Sequence, residues 1–93
     1  MMTLENGVLY KFETPTCTVC KMMEPLLQEF VTSNQDVIVK KVNPYDEMDL
    51  CEKYGISSLP IFIFVEDDNV QMLSGLVEKK EFNKFTKQFK KTL

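Results

Sequence analysis

The run Val8-Leu9-Tyr10-Lys11-Phe12-Glu13, then Thr14-Pro15-Thr16, then Cys17-Thr18-Val19-Cys20, decides the fold. Val8 to Glu13 is apolar and aromatic, which suits a strand. From Thr18 to Val31, residues Val19, Met22, Met23, Leu26, Leu27, Phe30 and Val31 recur at helical spacing and predict a helix with a broad apolar face. The two cysteines therefore stand where a strand gives way to a helix. Cys17 meets unpaired backbone N–H groups and the positive end of the helix dipole there, and both favour its thiolate. Cys20 lies one turn deeper. A pair so placed can switch between dithiol and disulfide, and it points to electron transfer by thiol–disulfide exchange.

Outward from this junction the chain alternates between elements. Ser33-Asn34-Gln35-Asp36 is a turn, and the β-branched run from Val37 to Val42 predicts a second strand that Asn43-Pro44 ends. Asp46 to Tyr54 predicts a short helix stopped by Gly55. Ile61-Phe62-Ile63-Phe64-Val65 is unbroken apolar sequence, as in a central strand covered on both faces. Asp67-Asp68-Asn69 turns the chain into a last strand, Val70 to Ser74. Glu78 to Lys91 predicts a closing helix with Phe82, Phe85 and Phe89 on one stripe. The order β-α-β-α-β-β-α predicts an α/β fold. Its mixed four-stranded sheet has helices on both faces, a parallel first pair and an antiparallel last pair.

The 93 residues fit one domain, spanning 1–93, and are enough to bury a core without metals or structural disulfides. Apolar residues make up 44% and charged residues 27%, as in soluble globular proteins. A net charge of −3 gives no reason to expect nucleic-acid binding. No apolar run approaches a membrane span, and no leader pattern opens the chain, so a cytoplasmic location is expected. Three cysteines, an odd number, do not form a framework of the secreted type. The absence of histidine excludes histidine acid–base chemistry and histidine-ligated metal.

On this reading Cys17 attacks a substrate disulfide and Cys20 resolves the mixed disulfide. Two buried structural cysteines at chance spacing are the bland alternative. A zinc site would need Cys51 and a carboxylate beside the pair, so no metal is expected. Pro25 falls inside the predicted helix, where a kink or a restart is expected. Pro60 stands directly before the central strand. It cannot donate to the ladder, and it follows Leu59 in an X-Pro bond of the kind that can be cis. The backbone of Leu59 would then be free to pair with an extended substrate.

Cys17-Thr18-Val19-Cys20-Lys21 with Pro25, then Tyr54-Gly55-Ile56-Ser57-Ser58-Leu59-Pro60, then Ser74-Gly75-Leu76, resembles the thioredoxin family from about Val8 onward. The resemblance implies a thioredoxin-like fold and a disulfide oxidoreductase role. It makes Cys17 the nucleophile, Cys20 the resolving thiol and Pro60 a cis-proline. Thr16, Thr18, Val19, Leu59, Pro60, Gly75 and Leu76 become the surface that receives substrate. It also implies no bound cofactor, electrons from NADPH through a thioredoxin reductase, and disulfide-containing protein substrates, among them ribonucleotide reductase. The working form would be a monomer that binds neither membrane nor nucleic acid.

The sequence departs from that family pattern. Thr16 and Thr18-Val19 replace the usual residues around and between the cysteines, tryptophan is absent, and the N-terminal strand and helix look missing or vestigial. Lys11 stands where the family carries a buried aspartate, and Lys41 where it carries the lysine partner. Both are candidates for thiol tuning. Either two crowded cations push one lysine towards neutrality, or Lys11 reaches solvent or a carboxylate such as Glu13. A glutaredoxin-like role, with glutathione, is disfavoured because no Gly-Gly-x-x-Asp follows the last strand. An oxidising or isomerase role and a non-catalytic binding module remain alternatives. Cys51 reads as a packing residue or a regulatory thiol.

Overall fold

The computed structural model describes residues 3–67 and 69–89. Its elements are β1 (Val8–Phe12), α1 (Thr18–Ser33), β2 (Ile38–Val42), a 3-10 turn (Pro44–Asp46), α2 (Met48–Tyr54), β3 (Ile61–Glu66), β4 (Asn69–Ser74) and α3 (Lys79–Thr86). The first of these elements is β1, and residues 3–7 lead into it through a turn. The strands make a four-stranded sheet in the order β2-β1-β3-β4. β1 and β2 are parallel, with Phe12 opposite Val42. β3 runs antiparallel to β1, with Phe12 opposite Ile61, and antiparallel to β4, with Ile61 opposite Ser74. The C-terminal ends of β1, β2 and β4 and the N-terminal end of β3 therefore share one end of the sheet.

Alternation along the two central strands separates two cores. Leu9, Phe62 and Phe64 point to one face and pack with Met23 and Leu27 of α1 and with Phe82, Phe85 and Phe89. Val8, Tyr10, Phe12, Ile61, Ile63 and Val65 point to the other and pack with Leu50 of α2. The first core is aromatic. Phe62 meets Phe82 edge-on at 5.3 Å between centroids, and Phe64 stacks on Phe89 at 3.9 Å. Burying one such ring contributes about 1.5–3 kcal/mol.

Several boundaries differ from expectation. The helix expected from Asp46 is split, because Asn43 Oδ1 accepts the N–H of Tyr45 and starts a 3-10 turn on Pro44. A regular helix begins only at Met48, and it ends at Gly55 in the left-handed region (φ 67°) as expected. The last helix stops at Thr86 instead of running to Lys91. Beyond it Phe89 N–H donates to the carbonyl of Thr86 and the ring drops into the core. Lys90 and Lys91 lie outside the described residues. Met22, expected on the apolar face of α1, is exposed, since the buried stripe runs through Cys20, Met23 and Leu27. α1 continues through Pro25 as one helix of 16 residues.

Candidate active site

Cys17 is the N-cap of α1. Its backbone is extended, and its Sγ accepts the backbone N–H of Cys20 at 3.1 Å. A side-chain acceptor at this position satisfies one of the donors that a helix start leaves unpaired. A thiolate accepts that bond better than a thiol does, so the same geometry favours ionised Cys17. The structure holds Cys17 and Cys20 as a disulfide, with 5.2 Å between Cα atoms. Cys17 is half-buried and Cys20 is buried, so Cys17 is the cysteine more open to solvent.

The shared sheet end brings the remaining predicted residues to this junction. The Leu59-Pro60 peptide is cis, and Pro60 is buried at the entry to β3. Gly75 N–H donates to the carbonyl of Pro60 at 2.9 Å, which fastens the chain after β4 to the proline loop. Gly75 has φ 83°, a conformation that other residues rarely adopt. Leu76 then stands exposed. Thr16 and Thr18 are exposed beside the disulfide, Val19 is half-buried, and Leu59 packs at the margin of the second core. Apolar surface on both sides of Pro60 thus lies at the disulfide end of the sheet.

Beneath the disulfide is a polar cluster. Lys11 alternates with Leu9, so its side chain faces α1, where it is fully buried. Its Nζ donates to the carbonyl of Cys20 and to Glu24 Oε1, both at 2.8 Å, and pairs with Glu13 Oε1 at 2.8 Å. Those partners use all three donors of an ammonium group. Lys41 Nζ reaches the other oxygen of Glu24 at 2.8 Å, and Gln28 donates there too. Glu24 therefore stands between two cations that were expected to repel one another. Partial burial alone would raise the Glu24 pKa, but hydrogen bonds from Lys11, Lys41 and Gln28 overcome it and hold the carboxyl at about 2. Glu24 in turn raises the pKa of Lys41, which removes the case for neutralising that lysine by crowding. Glu24 escaped the sequence reading. Its signal was position: it follows Cys20 by one helical turn, on the stripe that faces β1.

Two cavities flank the disulfide end. One of about 310 Å³ lies behind Cys20, between Glu13, Thr14, Lys21 and Lys41. The other, about 230 Å³, lies beside Leu59, between Tyr45, Met48, Cys51 and Ile56. Cys51 is half-buried there, its thiol donates to the carbonyl of Pro44 at 3.6 Å, and burial pushes its pKa up. Among the described residues no cluster of three potential ligands could hold a metal ion, and no helix is long and apolar enough to cross a membrane.

Known proteins share this fold. The thioredoxin family profile matches residues 2–88. Thioredoxin-1 of Caenorhabditis elegans is 35% identical over 80% of this chain. The match covers 65% of the worm protein, just under two thirds of its length. A part of the NADPH-dependent thioredoxin reductase 3 of Arabidopsis thaliana, 15% of that protein, is 28% identical over 84% of this chain. Mitochondrial thioredoxin 3 of Saccharomyces cerevisiae superimposes with a TM-score of 0.76 over 89% of this chain and 79% of its own, at 22% identity. A redox disulfide at a helix N-cap, a cis-proline at the same end of the sheet and a profile match along nearly the whole sequence place the chain in the thioredoxin family.

Proposed function

We propose that this chain reduces disulfides in other proteins by cycling between the Cys17–Cys20 disulfide and the dithiol. The observation that carries the reading is the disulfide itself, capping α1 with the outer cysteine only half-buried and an apolar surface at the same end of the sheet. In the dithiol form the Cys17 thiolate attacks one sulfur of a substrate disulfide. The substrate S–S bond breaks, its other sulfur leaves as a thiolate and takes a proton, and a mixed disulfide joins Cys17 to the substrate. Cys20 then loses its proton and attacks Cys17. The mixed disulfide breaks, the second substrate thiol departs, and two electrons have passed to the substrate.

The surface around Leu59, Pro60, Gly75 and Leu76 suits an extended peptide, whose backbone can pair with the free groups of Leu59. Electrons come from NADPH through a thioredoxin-reductase-like enzyme. Kinship with a reductase that itself carries a thioredoxin-like segment supports this route. Ribonucleotide reductase is one candidate substrate, and a reducing cytoplasm is the compartment where such a couple would turn over. Lys11 and Lys41 tune the thiols through the polar cluster.

The test is reduction of insulin by the chain with NADPH and a thioredoxin reductase, run beside Cys17→Ser. Activity is expected only with Cys17 present. Turnover that persists in Cys17→Ser would remove the mechanism, and binding of disulfide proteins without turnover would leave a binding module.

A further inference from the structure

We propose that Glu24 is a positioning residue for the resolving step: held between Lys11 and Lys41, it sets how readily Cys20 ionises. The inference rests on the oxidoreductase reading above, because only a thiol that must ionise to attack gives the cluster a task. Lys11 is buried with its ammonium on the carbonyl of Cys20, and it has Glu24 and Glu13 as counter-ions. Lys41 holds the far oxygen of Glu24. Lys11 and Lys41 against Glu13 and Glu24 make a balanced cluster under a buried sulfur.

The charged groups around Cys20 come from each neighbouring element. α1 brings Lys21 and Glu24, β1 brings Lys11 with Glu13 just past its end, and β2 brings Lys41. Asp46 and Glu47 lie beyond Lys41, around the next cavity. The loop from Ile56 to Pro60 brings none.

Burial disfavours a thiolate, and a nearby cation favours it. The field of Lys11 at Cys20 is therefore the favourable influence, and Glu24 moderates it. The cavity behind Cys20 is large enough for water, at about 30 Å³ per molecule, so the proton has an exit. The step balances simply. Cys20 gives its proton to water, its sulfur bonds to Cys17, and the bond from Cys17 to the substrate breaks.

Glu24→Gln keeps the shape and one acceptor but removes the negative charge, so Cys20 should ionise more readily. Lys41→Met removes a cation and leaves Glu24 less compensated, so Cys20 should ionise less readily. Both side chains are partly exposed, and both variants should fold. The experiment titrates the thiolate absorbance of Cys20 in full-length chain carrying Cys17→Ser and Cys51→Ser, which leaves one thiol. Glu24→Gln is expected to raise the ionisation constant about tenfold, or about one pH unit. Lys41→Met is expected to lower it by a smaller factor. In the chain with all three cysteines, the pH profile of insulin reduction should move to lower pH with Glu24→Gln. An unchanged titration in Glu24→Gln, or shifts of the same sign in both variants, would overturn the proposal. The titration needs no turnover. Opposite shifts in a chain that fails to reduce insulin would refute the oxidoreductase reading and leave the electrostatic one standing.

Discussion

A lysine without solvent contact persists in β1 because three acceptors meet its ammonium: the Cys20 carbonyl and the carboxylates of Glu13 and Glu24. Such a charge is costly to bury unless it is paired and hydrogen-bonded. Glu24 completes that pairing, and its depressed pKa fixes the sign of a pH effect. Its folded value, about 2, lies below its ordinary 4.5, so the stability it contributes is present above about pH 4.5 and is lost as pH falls through about 2. The full shift corresponds to about 3 kcal/mol, and solvent at a partly exposed carboxylate screens it to about 1–2 kcal/mol. Glu24→Gln should therefore lose about 1–2 kcal/mol at pH 7 in urea unfolding, and the gap from the parent should close near about pH 2. A gap that stays constant with pH would show that the ion pairs contribute no stability. Cys51 differs from Cys17 in the same terms. Burial raises its pKa by more than a backbone N–H bond lowers it, and Cys51 sits inside α2 rather than at its N-cap. Iodoacetamide at pH 7 should label Cys17 of the reduced protein well before Cys51, by mass spectrometry after a short pulse. Labelling of Cys51 first would place the reactive thiol elsewhere.

At the scale of elements, α1 and α3 lie on one face of the sheet and α2 on the other, and the aromatic contacts make α3 the lid of the larger core. Phe82 joins that lid to β3 through Phe62 and to α1 through Phe30. Phe82→Ala should cost about 3–5 kcal/mol, the range for a buried ring removed to a methyl. A domain of ordinary stability, about 5–15 kcal/mol, retains little reserve after that loss. A much lower urea midpoint is the expected reading, and a loss under about 1 kcal/mol would mean that α3 is poorly docked. These elements were largely legible in sequence. Apolar runs such as Ile61 to Val65 and the stripe through Met23 and Leu27 carry their own period. Boundaries were less so. The polar residues after Thr86 contain no Gly or Pro to mark the end of α3, and the 3-10 turn at Pro44 depends on one Asn43 side-chain bond.

For the whole molecule, the sheet register decides what the site contains. Phe12 opposite Val42 and Ile61, and Ile61 opposite Ser74, gather sequence-distant residues at one end. The Cys17–Cys20 pair was legible as a local signal, whereas the cis bond before Pro60 was legible only through the family resemblance. The resemblance put Lys11 beside Lys41, and Glu13 was a foreseen partner of Lys11, but Glu24 between the two lysines was not, because it arrives there only where a strand with period 2 meets a helix with period 3.6. The same gathering predicts how substrate size matters. Leu76 is 54% exposed, on the segment that the Gly75–Pro60 hydrogen bond fastens beside the proline loop. A protein substrate that lies along this surface should cover Leu76, whereas a small aromatic disulfide need touch only the sulfurs. Covering a leucine side chain is worth about 1.5 kcal/mol, roughly tenfold in kcat/KM. Leu76→Asp should therefore lower kcat/KM for insulin about tenfold or more while leaving reduction of a small aromatic disulfide within about twofold. Equal losses on both substrates would mean that the substitution has disturbed the Cys17–Cys20 couple itself. No loss on either would move the substrate path to the far side of the disulfide, where Glu13, Lys21 and Lys41 line the other cavity.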